Sequence, residues 1–91
     1  MLSMKLLFEF LGTFLLVFMV FASAGNPLIL GLTLTFIILM IGNLSGGLVN
    51  PAITAAMYFS GSLAFAEMMW YIFVQMAAGV SALLAYNYIV Q

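Results

Sequence analysis

Residues 45–54 read Ser45-Gly46-Gly47-Leu48-Val49-Asn50-Pro51-Ala52-Ile53-Thr54, and this stretch decides how the rest of the chain can fold. Its first part is rich in glycine, which suits a tightly packed, extended backbone. Asn50 is a favoured helix N-cap and Pro51 a favoured first helical residue. The residues Ser60-Gly61-Ser62 then favour a stop. The pattern predicts a short helix over residues 50–59, preceded by a loop over residues 43–49.

The residues around this stretch are too apolar for a water-soluble protein. Of 91 residues, 68% are hydrophobic and 3% are charged. The charges are Lys5, Glu9 and Glu67, so residues 10–66 contain no charged side chain. An apolar stretch of this length without a charged side chain is expected in a lipid bilayer and not in water. The absence of Cys and His removes thiolate chemistry and the usual metal ligands, and we predict no cofactor, no metal site and no enzyme activity.

Three apolar segments are predicted to cross the bilayer: about 5–24, 27–42 and 63–90. The first could alternatively be a secretory signal, because Lys5 precedes it and Ala22-Ser23-Ala24 resembles a cleavage site. Glu9 argues against that alternative, since it interrupts the apolar run. In the last segment, aromatic residues near the ends suit the headgroup layer: Tyr71, Tyr86 and Tyr88.

Between such spans, the short helix over residues 50–59 is predicted to begin near the middle of the membrane. At ~1.5 Å per residue it covers about half a crossing. Because lipid offers no hydrogen-bond partners, the loop over residues 43–49 must be buried in protein or face a water-filled cavity. The helix N-terminus presents free N–H groups and partial positive charge, which repel cations. The Asn50 side chain retains an NH₂ group that can donate to a passing molecule, although a plain helix cap is the simpler interpretation.

The same residues carry a family resemblance. The stretch over residues 45–54 looks like the SG-x-x-x-NPA-x-T signature of the aquaporin and glycerol-facilitator (major intrinsic protein) family. Residues 9–14, Glu-Phe-Leu-Gly-Thr-Phe, resemble the E-F-x-G-T-F of that family's first helix. Further residues fall at the spacing of the family's first repeat: Gly31, Gly42, Tyr71 and Gln75.

The resemblance implies an all-α integral membrane fold over residues 1–91, with three transmembrane helices and one re-entrant half-helix, similar to one aquaporin half. Family members contain two such repeats in opposite orientations. It therefore implies that this chain forms inverted dimers, each a six-span pore, with four pores from eight chains as the preferred assembly. Inverted insertion requires little orientation bias, and Lys5 is the only basic residue. The implied location is the plasma or inner membrane.

The resemblance also assigns roles to residues. Asn50, Pro51 and Ala52 would lie at the central constriction. The re-entrant loop before them would comprise Ser45, Gly46, Gly47, Leu48 and Val49. Glu9 would accept N–H groups of that loop, with Gln75 as a second support, and the alternative for Glu9 is a side chain reaching to the interface. The filter-like positions would be Leu30, Ile38, Gly47 and Ile53.

The implied function is a passive channel for water or small neutral solutes such as glycerol-like molecules or gases. Ile53 stands where the family's second repeat has Arg, so the cationic filter is missing and the choice of permeant stays open. One alternative is a dual-topology, proton-coupled exporter that uses Glu9, because a carboxylate inside a membrane is a functional candidate. The other alternative is a non-conducting membrane subunit. With a single basic residue, the chain has no positively charged surface that could bind nucleic acid.

Overall fold

The computed structural model describes all residues from 1 to 91 and consists of helices joined by short connections. The helices are α1 (Leu2–Ala22), α2 (Pro27–Ser45), α3 (Pro51–Phe59) and α4 (Phe65–Val90). Of these, α1, α2 and α4 are long and apolar enough to span a membrane. The predicted all-α membrane fold, with three spans and one short helix, is confirmed.

The end of α2 differs from the prediction. The apolar pattern predicted an end at residue 42 and a loop over residues 43–49, whereas α2 continues to Ser45. It ends there because Gly46 is left-handed (φ +100°) and its N–H donates to the carbonyl of Gly42, a common glycine stop. The backbone between α2 and α3 is therefore residues 46–50, which we call the re-entrant segment.

Capping side chains fix where α2, α3 and α4 begin. Asn26 precedes α2 and accepts the Ile29 N–H at 3.0 Å, with a proline at the first helical position. Asn50 does the same for α3, where it accepts the N–H of Ala52. Helix α4 begins at Phe65 rather than near residue 63, and the N–H of the residue just before it donates to the Glu67 carboxylate at 3.2 Å.

Helix α1 is the centre of the fold. It packs against both α2 and α4, and α3 packs against α4. At Gly12 of α1 the approach is closest, since an added Cβ would lie 2.8 Å from Ile41 and 2.9 Å from Val49. Helix α1 therefore lies between α2 and α4.

The protein interior is small, and much of it is polar. Only 14 of 91 residues are buried, so most apolar side chains face outward toward lipid or another chain. The buried apolar cluster consists of Ile37, Ile41 and Val49. The buried polar side chains are Glu9, Thr13, Ser45, Thr54 and Gln75. Buried polar groups inside a membrane protein are candidates for its functional site.

Candidate functional site

The re-entrant segment reverses the chain direction within a few residues. Gly46 and Gly47 both have positive φ, at +100° and +60°. A Cβ on Gly47 would lie 3.5 Å from the Cα atoms of Gly42 and Ile38, so the segment runs close along α2. Val49 also has positive φ, +42°, which is unusual for a β-branched residue and costs roughly 1–3 kcal/mol. Such a conformation persists only where surrounding contacts hold it.

Glu9 provides the contacts that hold this conformation. Its side chain is fully buried, and its carboxylate accepts the backbone N–H groups of Val49 at 2.8 Å and Leu48 at 3.1 Å. It also accepts the Ser45 hydroxyl at 2.7 Å and the Gln75 amide at 3.1 Å. All four partners are donors, which matches an ionised carboxylate that can only accept. Hydrogen bonds to a charged acceptor are stronger than neutral ones, so Glu9 fixes the re-entrant segment firmly.

No cation contacts this carboxylate. The Lys5 ammonium nitrogen, the only basic group of a side chain, lies 3.9 Å from a carboxylate oxygen of Glu67 in the first turn of α4. Burial of a charge is costly unless hydrogen bonds satisfy it. The four donors to Glu9 therefore take the place of an ion pair.

Thr54 and Gln75 connect the half-helix α3 to α4. Gln75 donates to the Thr54 hydroxyl at 2.8 Å as well as to Glu9. Because the Thr54 hydroxyl oxygen accepts from that amide, the hydroxyl can donate its own proton to the Asn50 carbonyl oxygen, which lies 2.9 Å away. Both side chains are almost completely buried. The first turn of α3 is thus tied to the same polar cluster that holds the re-entrant segment.

Tyr71 closes the cluster from the other side. Its hydroxyl donates to the Ser45 carbonyl at 2.7 Å, and its side chain is 1% exposed. The sequence pattern had placed Tyr71 with the aromatic residues of the headgroup layer, and this was wrong. The hydroxyl satisfies a carbonyl left free at the end of α2, which water cannot reach there.

The tip of α3 is open. The Asn50 side chain accepts the Ala52 N–H at 2.7 Å, and its NH₂ group makes no hydrogen bond within the chain. Asn50 and Ala52 are exposed, and Ile53 is 42% exposed. The tip therefore presents one amide donor, apolar side chains and the positive end of a helix to whatever lies beside it.

The filter-like positions are only partly brought together within one chain. Gly47 packs against the backbone of Ile38, whose side chain is 47% exposed. Leu30 lies eight residues earlier on α2, about 12 Å along the helix axis. Ile53 is on the first turn of α3. A single chain therefore does not surround a constriction with these four residues.

Sequence reasoning missed several members of the site. Thr54 was quoted only as part of a motif, and Tyr71 was matched to the family by position but was given a place at the interface and no role in the site. A signal for both was present, because Tyr71, Gln75, Ala78 and Ala82 recur at helical spacing and form one buried face of α4. A tyrosine one turn before a mid-span glutamine marks a polar patch on that face. The close approach at Gly12 carried no signal beyond the family resemblance.

These features are those of a multi-pass membrane protein in which a short helix between two spans has its N-terminus tied to the helix bundle by buried polar groups. The family model described as Major intrinsic protein matches residues 24–91, and the chain belongs to this family of membrane channels.

Two relatives show the extent of the similarity. The chain is 38% identical over 92 residues to Aquaporin Z of Photorhabdus laumondii, covering 86% of this chain and 40% of that protein. It is 37% identical over 86 residues to Glycerol uptake facilitator protein-like 6 of Lactiplantibacillus plantarum, covering the same shares. The chain thus spans about two-fifths of the length of these relatives. No solved structure matches it significantly.

Proposed function

We propose that this chain supplies half of a passive transmembrane channel for water and small neutral solutes. Family membership and the two relatives, one named an aquaporin and one a glycerol uptake facilitator, support the channel class. The observation that carries the proposal is the open tip of α3. The Asn50 side chain, which offers the amide donor, is held in place by its capping bond to the Ala52 N–H. The residue just before it, Val49, is held by its N–H bond to the Glu9 carboxylate.

The tip suits neutral permeants and disfavours cations. A molecule passing Asn50 meets an N–H donor and the positive end of α3. In aquaporins the positive ends of half-helices are known to exclude cations, so this part of the mechanism is carried over from the family. No acidic side chain is exposed beside this tip to compensate, since Glu9 is buried and Glu67 lies in the first turn of α4, paired with Lys5.

The pore needs a second repeat, and we propose that a second, inverted copy supplies it. The α3 tip is exposed, and the filter-like residues do not enclose a lumen within one chain. Two copies related by a two-fold axis in the membrane plane would place two such tips near the centre of the bilayer. Each assembly would then contain four such pores from eight chains, in a plasma or inner membrane.

The expected lining is apolar outside the tips. Leu30, Ile38 and Ile53 bring no charged group to the mouth, and the sequence contains no arginine that could form a cationic filter. An apolar mouth raises the barrier to ions and hydrated species more than to small neutral solutes. We therefore propose passage of glycerol-like molecules or gases alongside water.

Light scattering from proteoliposomes tests this function. Vesicles containing the protein should shrink faster than empty vesicles under an impermeant osmolyte and should re-swell in glycerol. Leu39→Ala, which changes an exposed side chain on α2 away from the tip, is the matched control and should behave like wild type. A mass measurement in detergent gives the number of chains. Rates equal to those of empty vesicles would overturn the channel proposal.

The exporter alternative is not favoured by the site. An exporter of that kind needs its carboxylate to be reached alternately by substrate and proton. Glu9 is fully buried, and four donors occupy its carboxylate. No observation favours a non-conducting subunit.

A further inference from the structure

Leu48 and Asn50 are the only side chains of the re-entrant segment that stay outside the protein interior. The segment begins with two glycines, which have no side chain, and Val49 is 4% exposed within the buried apolar cluster. Leu48 is half-buried, and Asn50 is exposed. A molecule that moves along this segment toward the tip of α3 therefore meets the Leu48 side chain before it meets the Asn50 amide.

The Leu48 side chain lies over the backbone of Gly46. A Cβ on Gly46 would lie 3.5 Å from Cγ of Leu48 and 3.6 Å from its Cδ2. Gly46 is itself exposed, so the leucine covers only part of it. The Leu48 N–H is held by the Glu9 carboxylate at 3.1 Å, which limits how far the residue can move. Leu48 thus presents hydrocarbon at a fixed place, two residues before the amide of the tip.

Two carbonyl groups beside Leu48 have no hydrogen-bond donor within the chain. The N–H groups of Leu48 and Val49 both point at the Glu9 carboxylate. In a planar trans peptide the carbonyl points opposite to the N–H, so the carbonyls of Gly47 and Leu48 point away from Glu9. Neither carbonyl accepts a backbone hydrogen bond. Lipid has no donor for them, so a molecule beside the segment must supply one.

The segment therefore offers three kinds of contact in close succession: hydrocarbon at Leu48, acceptors at the two carbonyls and a donor at Asn50. A water molecule can use only the polar contacts, and beside the leucine it loses hydrogen bonds that nothing replaces. A small polyol can donate its hydroxyl protons to the carbonyls, accept from the amide and place its carbon chain against the leucine. The surface fits a solute with a carbon backbone better than it fits water.

We propose that Leu48 is a specificity-determining residue of the channel, and that it favours small polyols, the chemical class of glycerol, over water. This inference rests on the proposed function, because it requires solutes to pass the tip of α3. It places the choice between solute and water at the re-entrant segment and not at the apolar side chains of α2, such as Ile38.

The ratio of water permeability to glycerol permeability in proteoliposomes tests Leu48. Leu48→Asn adds hydrogen-bonding groups at this place, so we expect the ratio to rise roughly threefold to tenfold, the effect of about one hydrogen bond on a barrier. Leu48→Met keeps an apolar side chain and should keep the wild-type ratio. Ile38→Ala removes exposed apolar surface from α2 and should leave the ratio nearly unchanged. An unchanged ratio in Leu48→Asn, or a larger change in Ile38→Ala, would overturn the role of Leu48.

Chemical labelling tests where Leu48 faces, and it decides the question even where Leu48→Asn does not assemble. The chain contains no cysteine. A small charged methanethiosulfonate reagent reacts with thiols that water can reach, so Leu48→Cys should react in reconstituted vesicles and glycerol flux should fall as the adduct narrows the passage. Leu39→Cys is the matched control, since Leu39 is exposed on α2 away from the tip, and its flux should not change. A conducting Leu48→Cys protein that does not react would show that Leu48 does not face the path.

The outcomes separate the two proposals. Vesicles containing the wild-type protein that are no more permeable than empty vesicles would overturn the channel itself. Vesicles that pass water and glycerol at a ratio insensitive to Leu48 would overturn only the role of Leu48 and leave the channel in place.

Discussion

Glu9 shows how one side chain can determine a backbone conformation about forty residues away. Its carboxylate satisfies two N–H groups of the re-entrant segment, and one of them belongs to Val49, whose left-handed conformation is strained. Without the carboxylate, these donors would lie in a dry interior with no acceptor, and only the apolar packing of Val49 against Ile37 and Ile41 would oppose its relaxation.

The first prediction concerns this carboxylate. Glu9→Ala should lower the free energy of unfolding in detergent by about 2–6 kcal/mol, because each of two buried N–H groups left without a partner costs about 1–3 kcal/mol. Glu67→Gln is the matched control. It removes the other carboxylate, whose exposed ion pair with Lys5 contributes at most about 1 kcal/mol. Equal losses for both variants would show that Glu9 does not hold the segment.

The second prediction concerns Asn50. Asn50→Ala should destabilise α3 by about 0.5–2 kcal/mol through the lost cap and should also slow solute flux, since it removes the exposed donor. Asn50→Asp keeps an acceptor for the Ala52 N–H, so we expect a smaller loss of stability but a measurable cation current under an imposed potential. Unfolding curves and vesicle currents distinguish the two effects. If both variants conduct and unfold like wild type, Asn50 has no role at the pore centre.

The sequence predicts the hydrogen bonds of some of these residues better than those of others. The capping bond of Asn50 follows from a local pattern of neighbouring residues. The bonds of Glu9 join residues about forty positions apart, so no local rule finds them and only the family resemblance suggested them. The family resemblance picked out the position of Tyr71, but neither route predicted the bond of its hydroxyl, because an aromatic residue near the start of a span also fits the headgroup layer. Contacts across helices depend on rotation and depth, which composition does not determine.

At the scale of the helices, the packing of α1 depends on a glycine, which has no side chain to separate the helices. Gly12 lets α1 approach both α2 and the re-entrant segment. The third prediction is that Gly12→Ala destabilises the fold by about 1–3 kcal/mol through overpacking. The terminal carbon of Ile41 can move aside, but the Val49 methyl group belongs to a residue whose backbone is already constrained. The re-entrant segment should therefore shift as well.

Gly31→Ala is the matched control for this experiment. It also adds a methyl group to a glycine in a helix, but its Cβ would find nothing within 4 Å. Alanine is the better helix former by up to about 1 kcal/mol, so we expect unchanged or slightly higher stability. Thermal unfolding in detergent compares the two variants. A Gly12→Ala protein as stable as Gly31→Ala would mean that the close approach of α1 is not required.

The helices also show where a sequence pattern stops being informative. Length and hydropathy were enough to predict three spans and a half-helix, since those properties are local and the bilayer sets their scale. The end of α2 was predicted three residues early, because residues 43–45 are more polar than the span before them. They stay helical since Ser45 finds partners in Glu9 and Tyr71, which a one-dimensional profile cannot see.

At the scale of the whole molecule, the orientation of the chain in the membrane depends on very little charge. Lys5 is the only basic side chain, and it is paired with Glu67. The fourth prediction is that a tag at the C-terminus is detected on both faces of intact cells, because a single basic residue imposes a weak bias. Two arginines added after Gln91 should move the population toward one orientation and reduce the number of inverted dimers. Tags on one face only would exclude the inverted dimer.

The contacts that hold the re-entrant segment come from both ends of the chain, and this has a consequence for biosynthesis. Glu9 leaves the ribosome early, whereas Tyr71 and Gln75 follow much later, and Gln75 lies 66 positions from Glu9. Until the last span has entered the bilayer, α3 lacks the Gln75 amide that ties Thr54 to α4, and the end of α2 lacks the Tyr71 hydroxyl. The bonds from Leu48 and Val49 to Glu9 can form earlier, so we expect a ribosome stalled before Tyr71 to hold a chain whose re-entrant segment is bonded to Glu9 but whose half-helix is not yet tied to α4.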